Sequence, residues 1–274
     1  MDSPQTIHLK DYQEPTYYVK ELSLDFQIED SFTTVKNTAI YYAREKTSDP
    51  LVLNGTNLVL KSVSLDGQAL SSDRYSVNDD FLTIPDLPDE FTLETVVEIN
   101  PVENKSCEGL YQSGDIYCTQ NEPEGFRRIT YFLDRSDVMT KYVTRIEADK
   151  KQFPILLANG NKIDSGDTEN NRHFVVWEDP FKKPSYLFAL VAGDLGLVSD
   201  SYTTCSGRDV ALEIFVDKGN EDRAQYSLDC LKQSMKWDED TYGLEYDLDI
   251  YMIVAVDHFN MGAMENKGLN IFNT

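Results

Sequence analysis

Hydrophobic and polar residues alternate with a period of two through much of the first hundred positions. Leu22, Leu24, Phe26 and Ile28 are interleaved with Ser23, Asp25 and Gln27, and Phe91, Leu93, Thr95, Val97 and Ile99 keep the same spacing. Such alternation sends apolar side chains to one face of a strand and polar ones to the other. Two shorter apolar runs, 58–60 and 63–65, lie between, and Asp66-Gly67 after the second is a turn dipeptide. No helical period is sustained up to residue 100. Short strands broken by turns predict an antiparallel β-sandwich or saddle.

The pattern then changes twice. Residues 103–128 are rich in Gly, Asn, Glu, Cys and Gln and read as a long, functional loop. Strands resume at 142–148, 174–177 and 186–191, with Asn159-Gly160-Asn161 as a hairpin turn between the first two. Beyond Gly193-Asp194, residues 210–216 read as a strand and 221–242 as a helix. Asn220 is its N-cap, Gly243 its C-terminal stop, and Ala224, Leu228, Leu231, Met235 and Tyr242 its apolar stripe. The continuous apolar run 250–256 predicts a strand covered on both faces, and 269–272 a last strand left as an uncovered edge. The division falls at 1–194 and 195–274. The fold class is mainly β with a small α/β part, and the second unit reads as incomplete.

Charge narrows the function. With 48 acidic and 25 basic residues the chain carries −23 at pH 7, so no nucleic acid and no membrane surface is expected as a partner. A composition of 41% hydrophobic residues excludes a disordered chain. Four cysteines without a C-x-x-C pair argue against a disulfide framework or a cysteine zinc site. The start of the chain lacks a basic then apolar leader pattern, and no apolar run reaches membrane-spanning length, so a cytoplasmic protein is expected. Three histidines, His8, His173 and His258, are scattered, and H-E-x-x-H, G-x-S-x-G, the P-loop and G-x-G-x-x-G are all missing.

The informative stretch is Asn260-Met261-Gly262-Ala263-Met264-Glu265-Asn266-Lys267-Gly268. It follows one strand and precedes another. Its glycines permit close backbone approach, and Met261 and Met264 offer adaptable apolar surface. Glu265 sets a carboxylate beside a strand end, where an extended peptide could pair and leave its cationic end on the acid. From the residues alone, a glycine-bounded turn with a solvated glutamate is the favoured reading.

Gly262-Ala263-Met264-Glu265-Asn266 matches the GAMEN exopeptidase motif of the M1 family of zinc aminopeptidases. A given five-residue string arises by chance in about one in ten thousand chains of this length, with equal residue usage. Glu108-Gly109-Leu110-Tyr111-Gln112-Ser113-Gly114, Gly125-Phe126-Arg127, Asp179-Pro180-Phe181 and the segment 237–256 also resemble bacterial members. The resemblance spans essentially the whole chain. It implies an N-terminal β saddle domain, then the opening sheet and first helix of a thermolysin-like catalytic domain.

For the site, the resemblance implies that Glu265 and Glu122 bind the α-ammonium of a peptide with a free N-terminus. Gln120 and Met261 would line the first side-chain pocket, with Gly262, Ala263, Met264 and Asn266 completing the substrate ledge. Glu124 is the rival to Glu122 if the loop register differs. The family's zinc ligands and catalytic residues lie beyond residue 274. The resemblance therefore implies Zn2+ in a full-length, monomeric enzyme of peptide catabolism, with no metal site and no activity in this chain alone. Two alternatives stand beside it. A leukotriene A4 hydrolase-like member would carry Gly-Gly-Met-Glu-Asn, against Ala263 here. A standalone, non-catalytic β-rich peptide-binding or partner-binding protein is the other.

Overall fold

A computed structural model of the chain describes residues 8–274. Its largest sheet has eight strands in the order Asn161–Asp167, Arg172–Pro184, Met139–Asp149, Tyr17–Ile28, Thr33–Ala43, Glu90–Ile99, Val59–Leu65, Gln68–Ala69. The alternating residues do what their spacing demands: Leu22, Leu24, Phe26 and Ile28 are buried, as are Phe91, Leu93, Val97 and Ile99. The runs 58–60 and 63–65 merge into the single strand Val59–Leu65, irregular between Leu60 and Ser62. All neighbours are antiparallel except Tyr17–Ile28 with Met139–Asp149, which run parallel from Glu21↔Lys141 to Gln27↔Glu147.

A four-stranded sheet packs nearby, ordered Ile155–Ala158, Leu190–Gly193, Ile116–Gln120, Gly109–Ser113. Phe126 stands edge-on to Phe132, Tyr142 and Phe188, and Phe188 stacks on Phe26 of the large sheet. This sheet corrects three expectations. Residues 103–128 are not one long loop, because Gly109–Ser113 and Ile116–Gln120 form a hairpin (Ile116↔Ser113 to Gln120↔Gly109). Nearly every residue of both strands is buried, so no polar face marks the period. Asn159-Gly160-Asn161 closes no hairpin: Ile155–Ala158 pairs with Leu190–Gly193, whereas Asn161–Asp167 pairs with Arg172–Pro184 in the large sheet. The chain switches sheets there. Finally, the strand expected at 186–191 is a 3-10 turn, Ser185–Leu187, followed by Leu190–Gly193.

From Leu195 the chain enters a five-stranded sheet ordered Leu195–Thr203, Asp209–Asp217, Ile250–Val256, Leu269–Asn273, Ala263–Met264. Asp209–Asp217 and Ile250–Val256 are parallel, and the helix Glu221–Tyr242 makes the crossover that parallel strands require. Ala224, Leu228, Leu231 and Met235 of the helix cover Val210, Leu212, Ile214 and Val216. Gly243 ends it in the left-handed region (φ 64°), its N–H donating to Glu239 O. Tyr242 falls outside the stripe, exposed against Trp237. The opposite face of the sheet sends Phe215, Met252, Val254, Leu269 and Ile271 into the main core. Leu269–Asn273 is no edge either, since Ala263–Met264 lies outside it. A three-stranded sheet of Leu51–Asn54, Phe81–Ile84 and Ser76–Val77 completes the strands. Among the described residues no helix is long and apolar enough to cross a membrane.

Candidate functional site

The motif is built by the return of the chain between two parallel strands. After Ile250–Val256 it loops out, lays Ala263–Met264 antiparallel on Leu269–Asn273 (Ala263↔Phe272, Met264↔Ile271), and turns at 265–268. Gly262 O accepts from Asn273 N–H and Asn266 O from Leu269 N–H, both at 3.0 Å. Gly268 has φ +76°, and a Cβ there would stand 3.1 Å from Gly160 N and 2.9 Å from Leu248 Cδ1. Glycine is required by both conformation and space.

Side chains then alternate. Met264 and Asn266 are buried, whereas Met261, Gly262, Ala263 and Glu265 are exposed. Met264 thus departs from the expected role for its side chain: it is fully buried in the main core, leaving only its edge-strand backbone to face a ligand. Glu265 has no hydrogen-bond or ion-pair partner among the described residues.

Gln120 ends the strand Ile116–Gln120, opposite Gly109. It is 2% exposed, yet neither its Oε1 nor its Nε2 finds a partner. Buried amides are seldom left so, since each unmade bond costs about 1–3 kcal/mol. Next to it, Asn121 Nδ2 donates to Phe188 O at 2.7 Å, fixing the loop base. Glu122 is half-buried and unpaired among the described residues. Its neighbour Glu124 accepts an ion pair from Arg127 at 2.8 Å, and Arg127 also holds the buried Asp134 at 2.9 Å.

Two sets of hydrogen bonds join these halves. On one side Tyr111 O–H donates to His258 O (2.8 Å), His258 N–H donates to Ser113 Oγ (3.0 Å), and Asn260 Nδ2 donates to Cys107 O (3.2 Å). On the other, Asn159 Nδ2 donates to Lys267 O (2.8 Å) and Leu187 O (3.0 Å), while Asn159 Oδ1 accepts from Ala189 N–H (2.7 Å). Lys267 itself pairs with Asp247 and lies over the Phe181 ring, 4.3 Å from its centre. The cysteine beneath the site is no nucleophile: burial pushes the Cys118 thiol up to about 12.

One possible donor group escaped the sequence reading. The ligand atoms of Cys205, Glu239 and Glu245 lie within 4.8 Å of one another, at the turn after Leu195–Thr203 and the end of the helix. Their separation in the chain hides them, as no short motif connects them. They do not fit the zinc centre that the resemblance implies, having no imidazole. Glu239 already accepts from Tyr202 O–H and Cys205 N–H, and Glu245 from Ser206 Oγ–H.

Comparison with known proteins gives consistent matches. The Peptidase M1 N-terminal domain description matches residues 14–187, and the Peptidase family M1 domain residues 226–274. Aminopeptidase N of Escherichia coli is 54% identical over 273 residues, covering 99% of this chain and 31% of that protein. Aminopeptidase N of Caulobacter vibrioides is 53% identical, covering 100% of this chain and 32% of that protein. Among solved structures, Legionella pneumophila aminopeptidase A in complex with aspartic acid superposes with TM-score 0.92 at 34% identity, over 97% of this chain and 32% of that one. The chain therefore spans about a third of the length of the relatives it matches.

Proposed function

Since the chain belongs to the M1 peptidase family, we propose that it forms the N-terminal part of a zinc metalloaminopeptidase, which removes N-terminal residues from peptides. Its own contribution is the anchor for the substrate α-ammonium and the wall of the first side-chain pocket. The division falls at 194/195, supported by the change of sheet between Gly193 and Leu195.

The pairing state of the carboxylates carries this reading. Around the site, Glu108 is held by Arg128, Glu124 by Arg127 and Asp247 by Lys267. Glu122 and Glu265 are among the carboxylates left without a cation among the described residues, one on each half of the site. In a chain of −23 net charge, acids kept free of internal cations suit an ammonium from outside. The same comparison favours Glu122 over Glu124. Gln120, buried with its amide unpartnered, has the hydrogen-bonding capacity a pocket wall needs. Met261, 39% exposed beside the edge strand, offers apolar cover for the first side chain.

In the full-length enzyme zinc would activate water and polarise the scissile carbonyl. The residues of this chain bind and orient: two carboxylates set the amino end, and the edge strand Ala263–Met264 leaves main-chain groups free to pair with an extended peptide. Free amino ends are protonated at neutral pH, so charge distinguishes them from blocked ends. A monomeric, cytoplasmic enzyme is our working assignment. Glu122→Gln and Glu265→Gln in the zinc-loaded full-length enzyme test the reading. Both should lose kcat/KM on free-amine peptides with zinc content unchanged, and normal activity in either would overturn it.

A further inference from the structure

The two halves of the proposed anchor belong to different sheets, so something must hold them at a fixed separation. Glu122 follows a strand of the four-stranded sheet, and Glu265 follows the edge strand of the five-stranded sheet. A misplacement of an ångström between two charges and one ammonium costs much of their benefit.

The side chain that spans the gap belongs to neither motif. Asn159 is 3% exposed, sits where the chain leaves one sheet for another, and uses both polar atoms in three hydrogen bonds. One goes to Lys267 O, two residues after Glu265. The others go to Leu187 O and Ala189 N–H. These flank Phe188, whose carbonyl accepts from Asn121, the residue before Glu122. Counting main-chain links, a continuous path thus runs from Glu122 through Asn121 to Phe188, through Leu187 and Ala189 on either side of it to Asn159, and on through Lys267 and Asn266 to Glu265. The backbone beside it is equally close, since Gly268 admits no Cβ against Gly160 N. At the far end of the motif loop, the Tyr111 hydroxyl grips His258 O at 2.8 Å, while its ring is buried in the main core.

Resting on the anchor reading above, we propose that Asn159 is a positioning residue, with Tyr111 as its counterpart: together they set the register of the Glu265 hairpin against the Gln120–Glu122 loop. Neither touches the substrate. Both act through Glu265.

A general structural role would also lower activity, so the readout is coupling between positions. Asn159→Ala and Tyr111→Phe are made in the zinc-loaded full-length enzyme, each alone and combined with Glu265→Gln. Each is assayed for kcat/KM on a free-amine alanyl peptide, bound zinc and Tm. Asn159→Ala leaves two carbonyls and an N–H unmet and threatens folding. Tyr111→Phe removes one hydroxyl and keeps the ring, so it reports even if the first variant is insoluble. The expected result is a loss of roughly tenfold for each folded variant, shrinking to within about twofold once Glu265 is already Gln, the non-additivity of sites acting as one unit. Losses that simply multiply, or no loss at all, while Glu265→Gln alone is impaired, would overturn the positioning role and leave the anchor intact. A silent Glu265→Gln would overturn the anchor, and this inference with it.

Discussion

Glu265→Gln isolates one charge. The side chain is exposed and unpartnered among the described residues, so its replacement by an amide of equal size disturbs no packing and no ion pair. A surface substitution of this kind changes stability by less than about 0.5 kcal/mol. Binding is another matter. A hydrogen bond to a charged partner contributes about 1.5–3 kcal/mol, and the amide substitutes a neutral acceptor for a carboxylate. Converted to rate, that is roughly 10- to 150-fold in kcat/KM. With Glu265 exposed and open to screening by water and salt, the lower half of that range is expected at about 0.15 M ionic strength. The loss should shrink further as salt rises. The assay is kcat/KM on an alanyl peptide with the full-length enzyme, with zinc and Tm measured on the same preparation. Activity within about twofold of wild type, well under 1 kcal/mol, would refute the reasoning.

Three further outcomes follow from the structure. Gly268→Ala should destabilise the protein more than Gly67→Ala: both have φ +76°, but a Cβ at 268 meets Gly160 N and Leu248 whereas one at 67 meets nothing within 4 Å. Urea unfolding should give about 1–2 kcal/mol for position 67 and a further 1–3 for 268, and equal costs would remove the close-approach argument. Burial raises the Glu147 pKa, but its hydrogen bonds to Arg145 and Arg172 outweigh that and hold it below 4.5. The unfolded chain then binds more protons as pH falls, so this stabilisation is present above pH 4.5 and lost below it. Glu147→Gln should lower Tm at pH 7 and flatten its fall between about pH 5 and 3, whereas an unchanged acid slope would contradict the assignment. Lastly, the 274-residue chain alone should neither hydrolyse an alanyl peptide nor retain stoichiometric zinc after dialysis. About one zinc per chain after dialysis, with turnover of the peptide, would overturn this expectation.

The alternation at 22–28 and 91–99, the stripe Ala224-Leu228-Leu231-Met235 and the glycine stop at 243 were all legible along the chain. Each reports a single face or a single cap, set by near neighbours. The motif around Glu265 was legible for the same reason, being contiguous. Whatever depends on residues far apart was not. The parallel pairing of Tyr17–Ile28 with Met139–Asp149 leaves no local mark. Nor does burial of Ile116–Gln120 on both faces, because a strand covered twice loses the period that would announce it. Met264 turned inward only because the main core lies beneath the edge strand. That Glu124 is paired with Arg127 while Glu122 is not likewise shows only once Arg127 folds back onto the loop. Asn159 reads as an ordinary turn residue until two sheets meet around it, and its partners at 187, 189 and 267 are brought there by tertiary packing alone. Periodicity reveals which way a side chain points; what waits there is decided by the rest of the fold.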